Sequence, residues 1–102
     1  MAYTLQLSRE AVLDMRQAFH WYEEKRPGLG FDFLLATKAM FDQISRAPFM
    51  FQTASPEQSH IRRAVVQRFN YLIFYAVEGD EIWVFAVVSS RQNPETWKRR
   101  IE

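Results

Sequence analysis

The chain of 102 residues has no cysteine, which removes disulfide bonds and thiolate metal sites from any account of it and is compatible with a reducing cytosol. Only three glycines and four prolines punctuate it, and neither an internal repeat nor a low-complexity segment is present. Long apolar runs are missing too. Charged residues break each one well before the ~20 residues that a spanning helix needs, so no membrane segment is expected. Met1-Ala2-Tyr3-Thr4 lacks the basic and then apolar pattern of a secretory signal. Together these absences predict a soluble, cytoplasmic protein.

Aromatic and aliphatic residues, by contrast, are abundant. With 48% apolar residues, including nine Phe, four Tyr and three Trp, the chain can fill one core, and residues 1–102 are expected to form a single domain. The net charge is only +1, but it is unevenly spread. Residues 1–60 carry six Lys or Arg against seven Asp or Glu, and residues 61–102 carry seven against five. Glu78, Asp80 and Glu81 cluster at one point, which leaves two basic zones: Arg62, Arg63 and Arg68, then Arg91, Lys98, Arg99 and Arg100. Such zones attract nucleic acid or an acidic protein surface, or are simply solvated.

The N-terminal half reads as a strand and two helices. Tyr3, Leu5 and Leu7 alternate with Thr4 and Gln6, the period of a half-buried strand. Ser8 is placed to cap a helix whose buried stripe is Val12, Met15, Phe19 and Tyr22, with Asp14, Gln17, Glu23 and Glu24 outside it. Lys25-Arg26-Pro27-Gly28 ends that helix, because proline disfavours helical geometry in the residue before it and glycine permits a reversal. A second helix, about Phe31 to Ser45, then forms an antiparallel hairpin with the first. One stripe of it is Phe33, Ala36, Met40 and Ile44, and Leu34 and Phe41 make another about a hundred degrees away. The polar, turn-prone stretch from Gln52 to Ser59 reads as a surface loop.

Three strand-like runs follow: Ile61 to Phe69, Tyr71 to Val77 and Ile82 to Val88. The last two are almost purely β-branched and aromatic and read as central strands joined at Glu78-Gly79-Asp80-Glu81. Elsewhere, familiar chemistry is weak. His20 with Glu23 or Glu24 has metal-binding spacing but no third ligand, and His60 is expected in a loop. Gly28-Leu29-Gly30 lacks the lysine and the upstream strand of a phosphate loop and reads as the interhelical turn. Neither a metal nor a cofactor is expected.

The segments IRRAVV (Ile61 to Val66), RFNYLIFY (Arg68 to Tyr75), VEGD (Val77 to Asp80) and SSRQNPETW (Ser89 to Trp97) resemble the RelE/ParE superfamily of toxins from bacterial toxin–antitoxin pairs, the ParE branch in particular. Members commonly read RFPYLIFY and HGRRDPxxW there, so Asn70 replaces a usual proline and Ser89 a usual histidine. The resemblance implies an α+β fold, in which an N-terminal strand and antiparallel helical hairpin pack on a mainly antiparallel four-stranded sheet. It also implies a type II toxin, active in plasmid stabilisation and neutralised by a cognate antitoxin, ParD-like or similar, with a heterotetramer as one possible assembly.

Two activities occur in the superfamily: binding to DNA gyrase and ribosome-dependent cleavage of mRNA. RNA cleavage needs a base, an acid and cations that stabilise the phosphorane. Laid on this chain, the nuclease positions fall on Arg63, Val65, Leu72, Arg91 and Trp97, with Ser89 and Ser90 where some relatives have histidine. Only one arginine, Arg91, keeps a matching place late in the chain, so no catalytic residue is assigned and gyrase binding is favoured. A nuclease and a non-toxic binding relative are the alternatives. The expected target contacts are Arg62, Arg63, Arg68, Arg91, Trp97, Lys98, Arg99 and Arg100, with Leu34 and Phe41 as antitoxin contacts. Trp97 has a second reading, as an anchor that closes the sheet edge.

Overall fold

Ser8 separates the first two elements of the computed structural model, which describes residues 3–101: β1 (Thr4–Leu7) and α1 (Arg9–Lys25). Its Oγ accepts the N–H of Ala11 at 3.1 Å, so the expected cap forms. The helix ends where proline requires it, at Arg26 in extended geometry. Helix α2 (Leu29–Arg46) follows after Gly28, whose φ of 90° favours glycine. Glu23 assists this reversal from α1. Its two carboxylate oxygens accept the N–H groups of Gly28 at 2.8 Å and Gly30 at 2.9 Å, satisfying donors that a helix start otherwise leaves orphaned. A Cβ on Gly30 would stand 2.6 Å from the carbonyl oxygen of Phe19, so glycine sets how closely the two helices approach.

The sheet has five strands, not four. After α2 come β2 (Thr53–Ser55), β3 (Gln58–Val66), β4 (Tyr71–Glu78), β5 (Glu81–Ser89) and the short helix α3 (Glu95–Arg99). The strand order is β1-β5-β4-β3-β2, with β1 parallel to β5 and the other pairs antiparallel. The additional strand comes from the stretch read as a loop. Thr53 pairs with Arg62 and Ser55 with Gln58, around a two-residue turn whose Gln58 N–H bonds to Ser55 Oγ. Three half-buried residues at a sheet edge carry no apolar alternation, so nothing in their composition announced pairing. The same ladder draws His60 into β3 rather than a loop and ends that strand at Val66, three residues before Phe69. Strands β4 and β5 are central, as expected, and Gly79 takes φ 62° in the two-residue connection between them.

Each face of the sheet has its own core. On one side the helical hairpin packs Ala11, Ala18, Phe33 and Ile44 against Ala64, Val66, Ile73, Tyr75, Ile82, Val84 and Val87. The buried stripe of α1 is therefore Ala11, Met15, Ala18 and Tyr22, and Val12 lies outside it. Small alanines let the helix sit close to the sheet, which a reading weighted toward large side chains overlooked. Both stripes of α2, including Leu34 and Phe41, rest on this core, and Phe31 and Leu35 are its exposed large apolar residues. On the other side α3 places Trp97 flat on Phe74, with ring centroids 4.4 Å apart and planes 13° from parallel. Ile61, Ala86 and Val88 complete this smaller cluster. An irregularity in the β4–β5 register leaves Phe85 without a partner between Val84 and Ala86.

Helix α3 is also held by charge. Arg100, just after it, reaches Asp14 of α1 through Nη1 at 2.6 Å and Nη2 at 3.0 Å, and its Nη1 also donates to the carbonyl of Phe85. Asp14 in turn accepts the N–H of Val87 at 2.9 Å. The side chains are 22% and 11% exposed, so the pair is largely out of water. Its geometry is the bidentate one in which both oxygens are used. No helix of the described residues is long and apolar enough to cross a membrane.

Two stability predictions follow from these contacts. Trp97→Ala is expected to cost about 3–5 kcal/mol, and Asp14→Ala about 2–3 kcal/mol because Arg100 loses its partner in a partly dry site. Lys98→Ala and Arg99→Ala should stay within about 0.5 kcal/mol, all read from urea midpoints. The second concerns Tyr75, which is fully buried and donates to the carbonyl of Pro48 at 2.6 Å. Burial pushes its hydroxyl up to about 12, against a smaller opposing pull from Arg62. A phenol that holds its proton more tightly when folded contributes stability that is complete below pH 10 and lost as pH rises from 10 to 12, on the order of 2–3 kcal/mol. Tyr75→Phe should flatten that alkaline loss while lowering stability at pH 8 by about 1–2 kcal/mol through the orphaned carbonyl. Unchanged alkaline sensitivity would contradict the assignment.

Candidate functional site

The C-terminal half of α1 crosses the end of the sheet where β4 begins and β5 finishes, and the space between them is a cleft of about 570 Å³. Helix α1 supplies Asp14, Gln17, Trp21 and Tyr22, the β3–β4 turn supplies Arg68, Phe69 and Asn70, and Tyr71, Ser89, Arg91 and Gln92 close the far wall. The register explains why distant residues meet. Tyr71 and Ser89 are cross-strand partners, and the N–H of Ser90 bonds to the carbonyl of Asn70 at 2.9 Å, so the turn before β4 and the tail after β5 are tied together.

The turn itself is unusual. Arg68 has φ 78° and Asn70 φ 55°, the two non-glycine residues with positive φ among those described. Asparagine tolerates this geometry, arginine adopts it only at a cost of about 1–2 kcal/mol, and proline, whose ring fixes φ near −65°, cannot adopt it at all. Asn70 therefore permits a turn that the more usual proline would forbid. Phe69, between the two, is buried and anchors the strain. It packs edge-on against Tyr22 and Phe33 at 5.0 and 5.4 Å, and its carbonyl accepts the Tyr22 hydroxyl at 3.2 Å.

The cleft is rich in hydrogen-bond donors. Arg68 is exposed, with its guanidinium 4.8 Å from the centre of the Phe69 ring and 3.7 Å from the half-exposed Asp32, a pairing too solvated to hold it firmly. Arg91 is exposed and forms no ion pair among the described residues. Gln92 accepts the Ser89 N–H through Oε1, which leaves its amide NH₂ to donate elsewhere. Asp14, on the floor, is already committed to Arg100 and Val87. Burial raises the Tyr22 hydroxyl above its ordinary value while nearby Arg91 draws it partly back, and burial likewise raises Tyr71. Both phenols hence stay neutral at physiological pH.

The residues expected to contact a target do not form one surface. Arg68 and Arg91 meet in the cleft. Arg62 instead turns toward the segment before β2, donating to the carbonyls of Phe49 and Phe51, and Arg63 donates to Gln52 Oε1 at 3.1 Å. Trp97 is buried on Phe74 and Arg100 is tied to Asp14, so both are parts of the fold, consistent with the anchoring reading of Trp97. Lys98 lies 5.9 Å from the Trp97 ring and Arg99 is exposed. Leu34 and Phe41 are half-buried. Trp21, 53% exposed on the cleft wall, was missed, although a tryptophan one position off the Met15, Ala18, Tyr22 stripe is itself a signal of a surface role. Among the described residues no group of three His, Cys, Asp or Glu converges as a metal site.

Fold and site together can be set against known proteins. A chromosomal ParDE toxin–antitoxin structure from P. aeruginosa matches with a TM-score of 0.74 and 15% identity, over 85% of this chain and 95% of that one. The isolated E. coli RelE toxin matches with a TM-score of 0.62 and 15% identity, over 99% and 100% of the two chains. A mutant E. coli RelE bound to a peptide of its antitoxin RelB gives 0.61 and 15%, over 100% and 97%. These likenesses establish the fold. No curated protein matches the sequence. The family model described as the ParE toxin of the type II toxin–antitoxin system parDE matches residues 5–94. The chain thus belongs to the ParE toxin family of type II toxin–antitoxin systems.

Proposed function

We propose that this toxin acts by binding rather than by bond chemistry, that its target is DNA gyrase, and that a cognate antitoxin neutralises it. One observation carries the reading: three of the positions corresponding to nuclease groups, two on the sheet and one in α3, hold side chains that cannot exchange protons. Val65 and Leu72 are cross-strand partners, Leu72 packs into the small core under α3, and Trp97 is stacked on Phe74. The cleft supports the same conclusion. It contains no histidine, its carboxylate is engaged by Arg100, and its phenols are held protonated. Among the described residues, a base for attack by a 2′-hydroxyl is therefore missing from both places.

Binding needs less. Exposed arginine beside exposed tryptophan is the combination that dominates interface energies, and Arg68, Arg91 and Trp21 present it. By family resemblance the toxin would hold gyrase while its DNA is cleaved, in the cytoplasm, and so block replication. The antitoxin, ParD-like or similar, would cover apolar surface of the helical hairpin, where exposed Phe31 and Leu35 lie on the same helix as half-buried Leu34 and Phe41. A heterotetramer of two toxins and two antitoxins is one assembly compatible with this.

Expression without antitoxin is expected to induce DNA-damage signalling and filamentation before protein synthesis falls, and purified toxin should make gyrase accumulate cleaved DNA. Immediate translation arrest with codon-linked mRNA cuts would instead establish the ribosome-dependent nuclease, and unimpaired growth would establish a non-toxic relative. Arg91→Ala should reduce toxicity about tenfold or more while leaving stability within about 0.5 kcal/mol. Trp97→Ala is not an equivalent probe, because its loss of toxicity would follow from unfolding.

A further inference from the structure

We propose that the cleft between α1 and the β3–β4 turn is a nucleotide-binding site whose ligand is a segment of single-stranded nucleic acid. A phosphate would lie between Arg68 and Arg91, and a base would stack on Trp21. Three independent features of the cleft lead to this class of ligand.

The first is the strained turn. Backbone strain persists only where the surroundings enforce it, and it concentrates at binding sites. Here Arg68 and Asn70 take positive φ on either side of the buried Phe69, and the result is a guanidinium held over an aromatic ring at the edge of this cleft. The second is the charge balance. Among the described residues the only carboxylate lining the cleft, Asp14, is neutralised by Arg100, and the half-exposed Asp32 stands outside the lining, 3.7 Å from Arg68, so Arg68 and Arg91 face the cleft with their charge uncancelled from within it. Lys25, its Nζ 4.6 Å from the centre of the Trp21 ring, adds a third cation beside it. The third is shape. A half-exposed indole and amide side chains, Gln17 and Gln92 among them, share a space of about 570 Å³ with these cations. That suits a flat ring with an anion attached.

An acidic peptide would also satisfy the arginines, but a docked helix needs an apolar groove, and this cleft is mixed in polarity. Stacking on the indole adds what a carboxylate side chain lacks, about 1–3 kcal/mol per base. The residues are those offered above to the protein target, but the two readings have separate assays: gyrase inhibition can fail while the cleft still binds nucleotides, and the reverse.

The test uses the purified toxin and fluorescein-labelled oligothymidylate of about ten nucleotides, within the site size of small single-strand binders, read by fluorescence anisotropy at low salt. A matched oligouridylate shows whether DNA or RNA is preferred, and binding of either supports the site. Trp21→Ala is expected to weaken binding about fivefold or more and Arg68→Ala/Arg91→Ala about tenfold or more. The double variant should also reduce the slope of log affinity against log salt by about 1.4, the value for two lost phosphate contacts on a single strand. Arg99→Ala, exposed and outside the cleft, should change affinity less than about twofold. The proposal is overturned if neither oligonucleotide binds, or if Arg99→Ala weakens binding as much as Trp21→Ala does, which would mean diffuse surface charge. An octaglutamate peptide that competes as well as the oligonucleotide would overturn it in favour of an acidic protein ligand.

Discussion

The carboxylate of Asp14 is the point on which three parts of the molecule converge. It comes from the middle of α1, accepts the backbone N–H of Val87 beside the irregular register of β5, and closes a two-pronged ion pair with Arg100 beyond α3. Each partner solves a problem for the others. A buried carboxylate requires compensation, the Val87 N–H lies where the ladder is disturbed, and a five-residue helix is too short to hold itself in place. The same residue forms the floor of the cleft, so the electrostatics of the site depend on how the fold is closed.

Much of this architecture was legible in the sequence because its signals are local. The Ser8 cap, the proline-enforced end of α1, the Gly79 turn and the two central strands each rest on a few adjacent residues whose chemistry permits little else. The failures share a different character. Strand β2 exists because β3 is there to pair with it, not because Thr53-Ala54-Ser55 favours a strand. The buried stripe of α1 runs through alanines, whose value lies in how near they let a sheet approach, and that distance is a tertiary quantity.

The site divides along the same line. Family resemblance singled out arginines and a tryptophan by position along the chain, but position does not separate a residue that presents itself from one that supports. Arg91 and Arg100 lie in the same basic tail, yet one is exposed at the cleft and the other is spent on Asp14. Trp97, which resemblance marked as a contact, is buried on Phe74, and Trp21, which it did not mark, is half-exposed on the cleft wall. Cross-strand register and a single hydrogen bond between Ser90 and Asn70 bring the β3–β4 turn to the tail, which no spacing in the sequence announces.

The parallel pairing of β1 with β5 also bears on how the protein emerges from the ribosome. Thr4 pairs with Glu81 and Leu7 with Val84, so β1 finds its neighbour only after the helical hairpin and β2 to β4 have been made. At about 5–20 residues per second, the helical hairpin can form seconds before the sheet face it must cover. Asp14 waits longer still, for Val87 and then Arg100. A nascent chain interrupted before these residues holds an unpaired strand and an uncompensated carboxylate, and the completed cleft exists only once β5 and the segment after it have been made.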